Sequence, residues 1–256
     1  MASRPRVTVV SGSRSGMGKA LCELLEGRGE RVVGVDLRDA QVAADLGAPE
    51  GRAAAVEAIR KACPDGVDAV VACAGLAIPD GPAMIAVNYF GAVALLEGLL
   101  PQLVARPTPR AVVISSSASI LPFDEELVEL CLAGDEARAL DRAADRADAY
   151  ASSKRAVSRW IRRTAPRPEW AGAGVLLNGV APGIVRTPMT AGILATEEGR
   201  AQLALAAPYA VREAAGPEHI APLLAFLASA DNRYMVGQTP FCDGGADVLL
   251  RGDAVI

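Results

Sequence analysis

The sequence predicts an α/β fold, one doubly wound parallel sheet with helices on both faces. Three observations carry this. Short apolar runs alternate with helical segments along the first half of the chain, and strands separated by helices build βαβ units. The runs are continuously apolar, as in Val7-Thr8-Val9-Val10 and Ala111-Val112-Val113-Ile114, which suits strands covered on both sides. Small residues dominate the 51% hydrophobic content while aromatics reach only 4%, so helices can pack closely on the sheet.

In chain order, Val7–Ser11 is expected as a strand, 16–28 as a helix, Arg31–Asp36 as a strand and 49–63 as a helix. Strand 67–73, a long helix 83–104 and strand 111–115 follow. Residues 122–148 differ in texture, being rich in Glu, Asp, Arg and Ala. They read as one or two helices inserted before a helix that carries Tyr150 and runs on over 151–164 to Pro166. Asp124 is a candidate cap at the start of the insertion and Gly134 a candidate stop. Strand 174–179, helix 217–229 and a short strand 239–242 complete the series. No repeat, linker or boundary interrupts it, so 1–256 is expected as a single domain of one core.

Composition excludes several classes. A net charge of −4 provides no basic field for nucleic acid or anionic membrane. Five cysteines, with no CxxC pair and a single histidine, argue against a disulfide framework or a zinc site. No metal is expected. The opening residues 1–6 are polar, 7–10 is too brief for a signal core, and no apolar run approaches a membrane span. The expectation is a soluble cytoplasmic protein.

The loop Ser11-Gly12-Ser13-Arg14-Ser15-Gly16-Met17-Gly18 joins the first strand to the first helix. Its glycines allow a tight turn and close backbone approach to a pyrophosphate, and the helix start offers free N–H groups. Asp36 ends the second strand 18 positions after Gly18, near the offset at which an acid meets the adenosine ribose hydroxyls. A carboxylate there repels a 2′-phosphate, so the expected cofactor is NAD rather than NADP.

Tyr150-Ala-Ser-Ser-Lys154 places a phenol and an ammonium four residues apart, on one helix face. The ammonium is expected to depress the phenol pKa and so make Tyr150 a general acid–base. A hydroxyl from Ser115-Ser116-Ser117 lies at the carboxyl end of a strand, where ligands of such sheets sit; the pattern leaves open which serine. Asn88 is a polar residue inside an apolar helix, placed to hold a water or a carbonyl beneath Lys154. His219 reads as a helix-start residue, Cys73 as a small core residue, and Trp160 and Trp170 as packing.

Assembled, these landmarks resemble the short-chain dehydrogenase/reductase family over nearly the whole chain, with a Rossmann-like fold. The co-linear set is SGSRSGMG at 11–18, Asp36, CAG at 73–75, VNYFG at 87–91, ISSS at 114–117 and YASSK at 150–154. NGVAPGIVRTPM at 178–189 and GQTPFCDGG at 237–245 follow. The resemblance implies a catalytic tetrad of Asn88, Ser116, Tyr150 and Lys154, with Lys154 also bonding the nicotinamide ribose. It implies that Pro182, Gly183, Ile184 and Thr187 line the nicotinamide. The cofactor set adds Leu37 beside Asp36, and Cys73, Ala74 and Gly75. More narrowly, GVDLRDAQVAADLGAPEGR at 34–52, CAGL at 73–76, VNYFGA at 87–92 and the inserted segment are similar to the bacterial 3α-hydroxysteroid dehydrogenase/carbonyl reductase group. That likeness places Asp45 and Leu46 near the adenine. Where most of the family carries Asn-Asn-Ala-Gly, this chain has Ala72-Cys73-Ala74-Gly75; Ser11 stands for the usual Thr; and the insertion is shorter than in the steroid enzymes.

The expected activity is therefore interconversion of a secondary alcohol and a ketone on a small hydrophobic substrate, with hydroxysteroids foremost. Met189, Ile193, Leu194 and Leu203 in the segment 189–209 supply the apolar cover. A terpenoid alcohol or dihydrodiol, or a non-catalytic dinucleotide-binding sensor, are the alternatives. The family forms dimers or tetramers. The insertion obstructs one of its interfaces, so a homodimer through the C-terminal region is expected.

Overall fold

The computed structural model describes residues 4–254, so residues 1–3 of the polar leader lie outside it. The chain runs β1 (Val7–Ser11), α1 (Gly16–Gly27), β2 (Arg31–Asp36), β3 (Val42–Ala43), α2 (Pro49–Ala62) and β4 (Ala69–Ala72). Next come α3 (Gly81–Ile85), a π-helical turn (Ala86–Gly91), α4 (Ala92–Gly98), α5 (Leu100–Val104) and β5 (Arg110–Ile114). The inserted helices are α6 (Glu125–Ala133) and α7 (Glu136–Ala143), followed by α8 (Ala149–Thr164) and β6 (Leu176–Pro182). The last elements are α9 (Pro188–Ala195), α10 (Glu197–Ala206), α11 (Pro217–Ala228), β7 (Phe241–Cys242) and α12 (Ala246–Arg251).

The seven strands lie in the order β3-β2-β1-β4-β5-β6-β7 and every neighbouring pair is parallel. Successive side chains point to opposite faces, so each strand feeds two cores. Val9, Val70 and Val113 pack with Leu95, Val157 and Ile161 on one face. Val10, Val71 and Val112 pack with Leu21, Leu25 and Leu224 on the other. The chain moves from β1 outward to β2 and β3, then returns across β1 to β4. That reversal opens a crevice at the carboxyl ends of β1 and β4, the place where a ligand fits such a sheet.

Several expectations need correction. The helix expected over 83–104 is interrupted twice. Its middle is the π-turn around Asn88, and Leu99 (φ −97°, ψ 2°) breaks it again before Pro101, whose missing N–H and ring prevent continuation. The third strand is shorter than 67–73. The strand expected at 174–179 starts at Leu176, after Gly174 turns left-handed, and extends to Pro182. The two-residue β3 and the helices α9, α10 and α12 have no periodic signal long enough to reveal them.

The insertion is capped as its residues suggest. Asp124 accepts the Leu127 N–H at 2.7 Å, and Gly134 takes φ 76° to end α6. Asp124 is buried, holds Arg142 and Arg146, and donates its own N–H to Ser152 Oγ at 2.9 Å, two residues after Tyr150. A Cβ at Gly81 would lie 2.0 Å from the Ala143 carbonyl, so only glycine lets α7 approach α3 this closely. Among the described residues, no helix is long and apolar enough to cross a membrane.

Candidate active site

The crevice is a cleft of about 340 Å³ at the carboxyl edge. Its floor is the turn between β1 and α1. Gly12 (φ 68°) and Gly16 (φ 51°) adopt left-handed backbone, and a Cβ on Gly18 would strike the Gly12 carbonyl at 2.2 Å. The Ser15 side chain makes no capping bond, and no acid lies in the first turn of α1. The helix therefore points uncapped N–H donors and the positive end of its dipole into the cleft, which fits a pyrophosphate. At one end of the cleft the Asp36 carboxylate is fixed by two backbone donors, Arg14 N–H (2.9 Å) and Leu37 N–H (2.8 Å).

Gly12, Ser15, Gly16, Met17, Gly18, Asp36, Leu37, Asp45, Leu46, Cys73, Ala74, Gly75 and Thr187 all line this cleft. Two residues of the expected glycine loop do not. Ser13 turns inward and donates to the Val35 carbonyl at 3.4 Å, and Arg14 reaches the site only through the N–H that holds Asp36. Both follow Gly12, whose left-handed turn directs the next side chains away. Ala44, Leu76, Val87 and Pro188 also line the cleft and were missed, and Met189, expected as substrate cover, lines it too. The adjacency of Leu76 to CAG and of Ala44 to Asp45 was the available signal.

The cleft continues into a cavity of about 80 Å³ walled by Ser116, Tyr150, Lys154, Pro182 and Gly183, with Met17, Cys73, Leu76 and Met189 common to both. Val185, rather than Ile184, lines this wall. Ile184, just past the end of β6, has its carbonyl engaged by the Ala215 N–H. The serine run separates by position. Ser115 Oγ bonds the Lys154 carbonyl (3.1 Å) and shares a 2.7 Å bond with Ser158, and Ser117 is buried in a short 3₁₀ turn. Ser115 and Ser116 both border the cavity; the Ser115 hydroxyl is taken up by those bonds, whereas Ser116 Oγ, beside Tyr150, accepts the Ala118 N–H at 3.1 Å.

Asn88 does not reach that cavity. Its Oδ1 accepts the Leu76 N–H at 2.7 Å, while Nδ2 donates to the Leu76 carbonyl (2.9 Å) and to Ser153 Oγ (3.1 Å). It ties the loop after β4 to α8 beside Lys154. Gly75 makes this closeness possible, since a Cβ there would sit 3.1 Å from Asn88 Oδ1 and 3.6 Å from Lys154 Nζ.

Burial governs the electrostatics. Lys154 is 3% exposed, donates from Nζ to the Ile114 carbonyl at 3.1 Å, and has its pKa pulled down to about 8, chiefly by desolvation. Tyr150 is pushed above its ordinary 10 by burial, with the Ser116 hydrogen bond opposing. This corrects the expectation of a phenol depressed by its lysine. The ammonium is directed at a carbonyl and stands 5.8 Å from the Tyr150 ring centre, so desolvation outweighs attraction. Burial also raises the Cys73 thiol strongly, leaving it protonated rather than a nucleophile. His219 Nδ1 accepts the Gly216 N–H at the start of α11, and Trp160 packs edge-on to Trp170 at 5.8 Å.

The fold and this cleft define an oxidoreductase that works with a nicotinamide dinucleotide. A family model described as short chain dehydrogenase matches residues 6–128, and one described as Enoyl-(Acyl carrier protein) reductase matches 137–247. The 3-alpha-hydroxysteroid dehydrogenase/carbonyl reductase of Comamonas testosteroni is 39% identical, covering 96% of this chain and 98% of its own. Cis-4-hydroxycyclohexanecarboxylate dehydrogenase of Sinomonas cyclohexanicum is 31% identical over 94% of this chain and 96% of its own. The crystal structure of the 3-alpha-hydroxysteroid dehydrogenase from Pseudomonas sp. B-0831 complexed with NADH superposes with a TM-score of 0.91 at 38% identity, covering 96% of this chain and 99% of that one. The chain belongs to the short-chain dehydrogenase/reductase family.

Proposed function

We propose that this chain is an NAD-dependent enzyme interconverting a secondary alcohol and a ketone on a hydrophobic, hydroxysteroid-like substrate. One observation carries the reading: Ser116, Tyr150 and Lys154 meet at a small cavity that opens directly from the dinucleotide-sized cleft. The 2′-position of the adenosine ribose falls to Asp36, whose fixed carboxylate favours NAD over NADP.

When bound, the nicotinamide supplies the hydride acceptor or donor. The protein's own groups manage the proton. Ser116 Oγ donates to the substrate oxygen as charge develops on it. Tyr150, whose protonated form burial favours, gives its proton to that oxygen in ketone reduction; in alcohol oxidation the phenolate form accepts the alcohol's proton. Lys154 provides the nearby ammonium and the hydroxyl-bonding reach toward the ribose. Asn88 positions Leu76 and α8 around them. Met189 and Ile193, each 42% exposed on a helix with no buried residue, present an apolar cover to the substrate.

NAD reduction against 3α-hydroxysteroids, other hydroxysteroids, terpenols and dihydrodiols tests this. Turnover of a 3α-hydroxysteroid, lost in Tyr150→Phe, supports it in full. Turnover confined to another class overturns the steroid assignment, and dinucleotide binding without turnover on any alcohol or ketone supports the sensor alternative. A homodimer is supported by Val248 and Leu249, exposed on α12 just after the edge strand β7. A monomer in light scattering would exclude it.

A further inference from the structure

We propose that Arg52, oriented by Glu136 of the helical insertion, is a positioning residue for the adenine end of the dinucleotide cleft. The proposal rests on the dinucleotide reading of that cleft and assigns the insertion a part in it.

Arg52 lies in the first turn of α2, a place where an arginine is ordinarily solvated, yet it is only 6% exposed. Its guanidinium joins three separate segments. Nε donates to the Leu46 carbonyl at 2.7 Å, and one terminal nitrogen is shared between the carbonyls of Gly47 (2.9 Å) and Ala86 (3.2 Å). The Glu136 carboxylate takes the fork from the outside in two bonds of 2.8 and 2.7 Å. The guanidinium carbon also stands 5.8 Å from the centre of the Phe90 ring.

Two of the segments so joined are walls of the cleft. Asp45 and Leu46 line it, and Ala86 opens the π-turn whose next residue, Val87, lines it as well. Residues 45–47 follow β3 and precede α2, so no ladder or helix holds them. Two glycines draw their neighbours against this loop. A Cβ on Gly51 would meet the Asp45 carbonyl at 2.0 Å, and one on Gly91 would meet the Leu46 carbonyl at 2.8 Å. Arg52 closes the remaining side.

The chemistry explains why an arginine stands there. A buried charge is costly unless paired and hydrogen-bonded, and as a stability device it competes poorly with an apolar side chain. Five N–H donors in a rigid plane, however, can hold three carbonyls and a carboxylate in one fixed arrangement, which an ammonium cannot. Glu136 sets the plane of that fork. Because it begins α7, the insertion braces the loop through Arg52, 84 residues away in sequence.

The test uses the full chain with Glu136→Ala, Glu136→Gln and Arg52→Lys. ADP-ribose and NADH are titrated calorimetrically, and kcat is measured at saturating dinucleotide with an alcohol the wild type accepts. The expected result is that Glu136→Ala and Arg52→Lys weaken both ligands by about tenfold (about 1.4 kcal/mol), with kcat within about twofold. Glu136→Gln, which keeps an acceptor for the fork, should lose less than about threefold, a rescue that marks orientation rather than charge. A merely structural role would lower the titratable fraction or the melting point while leaving Kd of the folded molecules unchanged, and that result overturns the proposal. Wild-type protein that binds neither ADP-ribose nor NADH would overturn the dinucleotide reading itself; wild-type binding with equal affinity in all variants overturns only the brace.

Discussion

Replacing Lys154 by methionine should abolish turnover and yet stabilise the protein at neutral pH. The side chain is 3% exposed, and its pKa falls from 10.5 to about 8. That interval corresponds to an unfavourable contribution of about 3 kcal/mol wherever the group is charged in both states, at about 1.36 kcal/mol per unit. Methionine fills much of the same volume without the charge. Against this, the Ile114 carbonyl loses its 3.1 Å donor, which costs about 2 kcal/mol if nothing replaces it. The balance is about 1 kcal/mol of stabilisation, or a rise in melting point of about 2–4 °C for a chain of this size. The pH dependence has a definite sign. Between about 8 and 10.5 the unfolded wild type binds a proton that the folded wild type has released, so its stability rises with pH across that window. The variant lacks this rise. Its advantage should be full below pH 8 and fade toward pH 10.5. Urea unfolding at pH 7 and pH 9.5, without added dinucleotide, measures both. A variant less stable by the same amount at both pH values would refute the reasoning.

Other changes probe separate parts of the site. Tyr150→Phe removes the only hydroxyl proposed to transfer the proton, so kcat should fall by about 10²–10⁴ while NADH affinity stays within about threefold by fluorescence titration. Asp36→Ala should weaken NAD and admit NADP, shifting the ratio of their kcat/KM values by about tenfold or more; an unchanged ratio would show that Asp36 does not read the ribose. Burial alone would raise the Asp124 pKa, but bonds from Arg142 and the Leu127 N–H, with the charge of Arg146, hold it below its ordinary 3.8. Asp124 therefore stabilises the fold above that value, and the contribution is lost as pH falls through the lower folded value. Asp124→Asn should cost about 2 kcal/mol at pH 7 in urea unfolding and shrink in effect toward pH 3.

Much of the architecture was legible in the chain itself. Val7–Ser11 and Arg31–Asp36 form strands with the expected bounds, because a continuously apolar run ended by a turn or an acid is a local signal. Asp124 and Gly134 delimit α6 for the same reason, as capping depends on residues three or four positions away. The glycine turn, Asp36 and the Tyr150–Lys154 pair were readable because each occupies a set distance from an element that local pattern reveals. The interrupted helix around Asn88 was not. Ala86–Gly91 has helical composition, and its π-turn is matched by bonds with Arg52, Leu76 and Ser153, which lie 12 to 65 positions distant.

The sequence by itself determined the alternation of the main strands and helices, the glycine turn proposed for a pyrophosphate, and the residue types available for proton transfer. Tertiary structure alone decided that Ser115 and Ser116 border the cavity while Ser117 does not, that Val185 rather than Ile184 lines it, and that Arg52 is buried. It also decided that Tyr150 is raised rather than lowered, because a pKa responds to the whole of a group's surroundings. The physical reason is common to all of these. Periodicity and capping report on neighbours along the chain, whereas burial, orientation and desolvation are set by segments that meet only when the sheet has formed.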